Sequence, residues 1–126
     1  MRAVDTNVLV RLITRDDSRQ VVAAESFIAK GAWVSVLALA ETTWVLATVY
    51  ELSSKDLVRA IEMLLSHRDL VLQEPETVAA ALDQFRAKPT LGFSDCLMLQ
   101  LARKAGHFPL GTIDRNLGKI EGTQKL

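Results

Sequence analysis

Residues 32–51 read AWVSVLALAETTWVLATVYE. The first five form a compact apolar run of strand type, and Leu37 to Glu51 read as a long, mostly apolar helix. One carboxylate, Glu41, interrupts residues 34–50, a segment with no other charge. Buried without a partner on such a helix, that carboxylate costs roughly several kcal/mol. No histidine or basic residue lies close to it in sequence, so its neutralising partner is expected from elsewhere in the fold. The plain alternative is an ion pair with a distant arginine such as Arg2 or Arg11.

Working outward, strand and helix signals alternate along the whole chain. Residues 2–5 (RAVD) read as a short buried strand ending in a carboxylate, and Asp5, Thr6 and Asn7 are all N-cap types ahead of a helix through Leu12–Ile13. Ser18 to Lys30 is helical, with Val21, Val22, Ala24, Phe27 and Ile28 recurring on one face before Gly31. Ser53 or Ser54 caps a helix over Lys55–Ser66, Leu70–Gln73 is a strand, and Glu76–Ala87 is a helix with Pro75 at its start. Ser94 caps a further helix that stops at Gly106, and Leu110–Ile113 is the last clear strand. Alternation of this kind implies an α/β fold with a mainly parallel sheet, because parallel strands need crossover connections. Ligands of such sheets gather at the carboxyl ends of the strands.

Composition narrows the class. The chain has 126 residues, 49% hydrophobic and 24% charged, as expected of a single globular domain over 1–126. Fifteen basic residues balance fifteen acidic ones, which excludes gripping nucleic acid by bulk positive charge. Cys96 is the only cysteine, so neither an intramolecular disulfide nor a cysteine-based zinc site is available, and a reducing cytoplasm is the expected compartment. The N-terminal apolar stretch is broken by Asp5, Asn7 and Arg11 and lacks the core of a signal peptide, and no run is long enough to span a bilayer.

Acids stand where an α/β sheet collects its ligands: Asp5 after the first strand, Glu41 after the second, Asp95 at a helix start, Asp114 after the last strand. Carboxylates brought together from separate elements repel one another, and a divalent cation is the usual resolution. An all-oxygen donor set points to Mg²⁺, with Mn²⁺ as a substitute, rather than zinc.

Four segments carry a family resemblance: VDTNVLVRLI (4–13), ALAETTWVL (38–46), GFSDCLMLQLA (92–102) and GTIDRNLGKIEG (111–122). In this order they resemble the acidic motifs of PIN-domain ribonucleases, and most closely the VapC-type toxins of bacterial toxin–antitoxin modules. The resemblance implies a PIN-like three-layer α/β/α fold with a short, mainly parallel central sheet. It implies Asp5, Glu41, Asp95 and Asp114 as the catalytic quartet, with Asp5, Asp95 and Asp114 on the metal and Glu41 either on the metal or orienting the attacking water. Thr112 matches a supporting hydroxyl, and Thr6 and Asn7 would orient Asp5 or cap the first helix. Ser94, Cys96 and Ile113 depart from the family pattern without removing a ligand. The implied reaction is Mg²⁺-dependent endonucleolytic cleavage of RNA, leaving 5′-phosphate and 3′-hydroxyl ends. The implied partners are a VapB-like antitoxin and a second copy of the chain, in the cytoplasm and away from membranes.

Phosphate contacts are sought first at Arg115, Arg11 and Lys119, and also among Arg15, Arg86, Lys88, Arg103 and Lys104. Setting the four acids aside leaves 15 basic residues against 11 acidic, a mildly cationic surface around an anionic pocket. Each acid also has a plainer reading. Asp5 suits an N-cap, Asp95 a helix dipole, and Asp114 with Asn116 a turn. His67 and His107 flank helix ends, and Cys96 reads as a small buried residue. Trp33, Trp44, Phe27 and Phe85 read as core or interface rather than as a base-stacking platform. The apolar excess around Val21–Phe27 and Trp44–Leu64 suits a dimer or antitoxin groove. The rival readings are a catalytically silent PIN scaffold acting as a binding module, a Mg²⁺-binding phosphoacceptor α/β regulatory domain, and a structure-specific DNA nuclease.

Overall fold

A computed structural model describes all residues, Met1–Leu126, and divides them into two compact units, Met1–Pro75 and Glu76–Leu126. The first unit begins with strand β1 (Arg2–Ala3), helix α1 (Thr6–Thr14) and helix α2 (Ser18–Ile28). Strand β2 (Ala32–Val34), helices α3 (Val36–Thr48) and α4 (Ser54–Ser66), and strand β3 (Leu70–Leu72) complete it. Its three strands form one sheet in the order β1-β2-β3, all parallel, with Ala3 beside Trp33 and Trp33 beside Val71.

The caps fix where these helices start. Asp5, Asp17, Ser35 and Ser53 each accept a hydrogen bond from the backbone N–H three residues on, satisfying a donor that the helix itself leaves unpaired. The choice left open between Ser53 and Ser54 thus falls on Ser53. Ser35 caps α3, which starts one residue earlier than expected, so Val36 is helix and not strand. β1 is also shorter than its sequence suggests: Arg2 and Ala3 are exposed and only Val4 is buried. α1 lies against both α2 and α3, burying Leu9, Val10 and Leu12 from one side and Val21, Ala24, Ile28, Leu39 and Leu46 from the others.

The second unit follows from helix α5, which starts at Pro75 and runs to Ala87, where proline's missing N–H costs nothing. Helix α6 (Phe93–Ala105) ends at Gly106, which takes a left-handed φ of 81° and returns its N–H to Ala102 and Arg103. Strand β4 (Leu110–Thr112), a 3₁₀ turn at Leu117–Lys119 and strand β5 (Thr123–Lys125) finish the chain. β4 and β5 pair in parallel as a separate two-stranded sheet, which the sequence pattern did not announce. Gly118 permits it: a Cβ there would sit 2.8 Å from the Lys125 Cβ. The core of this unit is built from Val78, Ala81, Leu82, Phe85, Phe93, Cys96, Leu97 and Leu99, with Phe85 and Phe93 packed edge to face at 6.0 Å.

Candidate metal and nucleic-acid site

In the first unit the site begins with strand direction. Three parallel strands place their carboxyl ends along one edge, and a polar residue stands just beyond each. Past β1 comes Asp5, past β2 comes Ser35, and past β3 comes Gln73, whose Oε1 accepts the Val36 N–H at 3.0 Å. The amino ends of α1 and α3 therefore open from adjacent strands of one sheet edge.

Asp5 is exposed, with its Oδ1 accepting the Val8 N–H at 3.3 Å. It is an N-cap, as its plain reading has it, and its second oxygen remains available to a ligand. Thr6 and Asn7 occupy the first turn of α1, and neither side chain bonds Asp5, so the cap belongs to Asp5 alone.

Glu41 lies in the second turn of α3 and is exposed. The helix buries the opposite side through Ala38, Leu39, Thr42, Thr43 and Leu46. The expectation of a buried carboxylate needing neutralisation is thus corrected, since a solvated carboxylate carries no desolvation cost. The ion-pair alternative is corrected too. Arg2 donates to the Phe27 carbonyl at 2.9 Å and sits over the Phe27 ring. Arg11 donates to Gln20, to Asp16 at 3.2 Å and to the Tyr50 hydroxyl at 3.0 Å. That network holds the guanidinium pKa above its usual value, chiefly through the Tyr50 bond, and lowers the Asp16 carboxyl through Thr14 first. Arg11 is consequently a strut joining α1, the α1–α2 loop and the end of α3, not a free phosphate contact.

In the second unit, α6 starts at Gly92 with no side-chain cap. Ser94 is therefore not the cap expected of it. Asp95, the third residue of the helix, is partly buried and lies close to the Gly92 backbone. Burial, and next the charge of Asp114, push the Asp95 carboxyl above the usual carboxylate range. Asp114 is held from both sides: its N–H donates to Thr112 Oγ1 at 3.0 Å, and its Oδ1 accepts the Leu117 N–H at 2.8 Å. The turn reading of Asp114 thus holds together with its proximity to Asp95, and Thr112 supports the aspartate through a bond to its backbone.

Asp95 and Asp114 form no ion pair with any basic side chain. A partly buried carboxylate that feels the charge of a second one, with no basic side chain paired to either, is oxygen-donor chemistry that suits a hard divalent ion. No three His, Cys, Asp or Glu side chains are grouped closely enough to hold a metal ion.

Among the basic candidates, Arg115 and Lys119 are exposed and free of ion pairs. Arg15 pairs with Glu25, Arg86 with Asp83, and Arg103 donates to the Glu121 carbonyl. His67 does not reach back to its helix: its Nδ1 accepts the Asp69 N–H at 3.1 Å. Cys96 is fully buried, and its thiol is pushed up to about 11, first by burial and then by Asp95. A cavity of about 490 Å³ opens between α1 and α2, lined by Asn7, Val8, Arg11, Gln20, Ala23, Ala24 and Phe27. Trp44, expected in core or interface, is 62% exposed. The Tyr50 partner of Arg11, the Gln73 bond to α3 and β5 carry no local sequence signal, because each depends on segments far apart in the chain.

The PIN domain family model matches residues 2–122, nearly the whole chain. No curated protein and no solved structure matches. The chain belongs to the PIN-domain family, whose fold is the α/β/α arrangement expected from the motifs. PIN domains are generally metal-dependent nucleases that use divalent ions such as Mg²⁺ and act on RNA. No helix of the chain is long and apolar enough to cross a membrane.

Proposed function

We propose, from the premise that the chain is a PIN-domain protein, that it is a Mg²⁺-dependent endoribonuclease toxin of a toxin–antitoxin module. Asp5, Glu41, Asp95 and Asp114 are its acidic residues. The observation that carries this reading is Asp95, a partly buried carboxylate pushed above its usual range first by burial and then by the charge of Asp114, with no basic side chain paired to either. Structural ion pairs are not built that way, whereas cation sites are.

A bound divalent cation supplies charge at a phosphoryl oxygen and lowers the pKa of a bound water. Asp95 and Asp114 would hold a cation, and the family resemblance adds Asp5, whose second oxygen is not engaged by Val8. Glu41, exposed and unpaired, would either join the metal ligands or orient the attacking water. Thr112 keeps Asp114 in register from the backbone side. Arg115, next to Asp114 and exposed, draws the phosphate, and Lys119 extends the same cationic segment. Hydrolysis leaves a 5′-phosphate and a 3′-hydroxyl.

The α1–α2 cavity lies on the apolar segment expected to take a partner, Val21–Phe27, and we assign it to a VapB-like antitoxin. A homodimer in the cytoplasm is the working form.

The deciding experiment incubates total RNA with the purified chain in Mg²⁺, in Mn²⁺ and in EDTA, beside the Asp95→Asn variant, and maps the ends. Cleavage in Mg²⁺ and Mn²⁺ that both EDTA and the substitution remove is the expected result. A wild-type protein that binds RNA without cutting it in either metal would leave only the silent scaffold.

A further inference from the structure

The turn that carries Asp114 is tied to β5 by two routes. β5 lies in parallel beside β4, with Thr112 opposite Lys125. The Leu126 N–H donates to the Thr112 carbonyl at 2.9 Å, and the Thr112 hydroxyl takes the Asp114 N–H. The second route runs through the 3₁₀ turn. Leu117 is buried; its N–H donates to Asp114 Oδ1, and its carbonyl accepts the Thr123 hydroxyl at 3.0 Å. The Asp114 carbonyl is engaged as well, by the Gly118 N–H at 2.9 Å. Asp114 Oδ2 is the oxygen left for a ligand.

Holding the last strand in place is the ordinary role for the Thr123 hydroxyl, but the hydrogen bonds around it argue for more. Its single proton lies between the Leu117 and Ile120 carbonyls, 3.0 and 2.6 Å away. Both carbonyls also have backbone partners: Leu117 accepts the Ile120 N–H at 3.0 Å, and Ile120 accepts the Thr123 N–H at 3.1 Å. Removing the hydroxyl therefore leaves neither acceptor unpaired, and costs little stability. Those backbone bonds span three residues each and lie within the turn, whereas the hydroxyl bond to Leu117 spans six and joins strand to turn. The β-branch of threonine stiffens χ1, so the tie has a defined direction.

We propose that Thr123 is a positioning residue for Asp114: by fixing Leu117 it fixes the carboxylate that the Leu117 N–H holds, so that Asp114 offers Oδ2 to a divalent cation in one orientation. This rests on the nuclease reading above and adds to it a residue outside the four acidic segments and outside residues 2–122 matched by the family model. Asp114 is exposed, and an exposed carboxylate left to rotate gives up that freedom when it binds an ion. A carboxylate already held gives up less, and the difference appears as metal affinity.

The test titrates the full chain with Mn²⁺ in the absence of RNA, following the free ion by its paramagnetic resonance signal, for the wild type, T123V, T123S and Q124G. Valine keeps the shape and strand preference of threonine and removes the hydroxyl; serine keeps the hydroxyl; glycine at exposed Gln124 weakens the same strand and leaves the hydroxyl in place. T123V should bind Mn²⁺ about tenfold more weakly, the low end of what losing an orienting residue costs, and T123S should bind like wild type. Q124G should melt lower than T123V and keep the wild-type affinity. Cleavage of total RNA by T123V should recover at saturating Mg²⁺, because the ligand itself remains. A T123V protein that binds Mn²⁺ like a wild type that also cuts RNA overturns the positioning role and leaves the nuclease reading intact. Equal loss of affinity in T123V and Q124G overturns it in favour of strand stability alone. A wild type that neither binds Mn²⁺ nor cuts RNA removes both.

Discussion

Asp5 in the first unit and Asp95 in the second both stand at the start of a helix, and they are used differently. Asp5 closes its helix by accepting the Val8 N–H, whereas α6 is opened by Gly92 and leaves Asp95 out of the capping. Asp5 is exposed; Asp95 is partly buried beside Asp114 with its pKa raised. A carboxylate that caps a helix stabilises the fold, while one held near its like without a cation destabilises it until something positive binds. Asp5 therefore serves its own helix, whereas Asp95 has no such local role.

The largest way to break this comparison is Asp95→Asn. Cleavage should fall by more than the roughly 10–100-fold that loss of a metal site's supporting residue costs. The metal-free protein should nevertheless melt higher at pH 7. A carboxyl whose pKa is raised on folding binds its proton more tightly folded than unfolded, so its ionisation subtracts stability as pH rises through that range. The stabilisation by Asn should accordingly fade as pH falls below the usual carboxylate range, and Mg²⁺ should raise the melting temperature of the wild type and not of the variant. A variant less stable than wild type at pH 7 would mean that Asp95 is structurally paired.

Asp5 should separate charge from cap. Asp5→Ala should cost about 1 kcal/mol in urea unfolding, whereas Asp5→Asn, an equally good cap, should unfold like wild type and still lose cleavage. Equal destabilisation by both would show that the charge, not the cap, is what the fold uses.

The two arginines give a smaller contrast. Arg115→Ala should weaken RNA binding and reduce the slope of log affinity against log salt by about one, while Arg11→Met, which loses the bonds to Asp16 and Tyr50, should destabilise the fold and leave that slope alone. Filter binding over a salt series reads this directly. The smallest effect concerns Cys96. With its thiol at about 11, it should stay unmodified by iodoacetamide at pH 8 in the folded protein and react once urea opens the core.

Much of this was legible in the sequence for a local reason. Helix α4 needed only Ser53, Asp56 and its apolar spacing; α6 needed only its periodicity and Gly106. Asp5, Asp95 and Asp114 were visible because each sits beside a strand or helix boundary, and Glu41 because it is the one charge in an apolar segment. The misreadings have a common cause as well. Glu41 looked buried because its neighbours are apolar, yet α3 turns it to the exposed side, and Trp44 follows it there. Arg11 looked free because Asp16 and Tyr50 are 5 and 39 residues away. β5 was invisible because a three-residue strand is defined by its partner, β4, and not by its own side chains.

By itself the sequence determined the alternation of strands and helices, the ends of several helices and which acids stand out, since caps, periodicity and turn chemistry act over a few residues. Only the tertiary structure decided which of those residues are spent and which are available. It assigned Arg11 to Asp16 and Tyr50, turned Glu41 and Trp44 outward, and partly buried Asp95 within reach of the charge of Asp114. Burial and charge proximity are properties of packed surfaces, and they arise from segments that the chain keeps far apart.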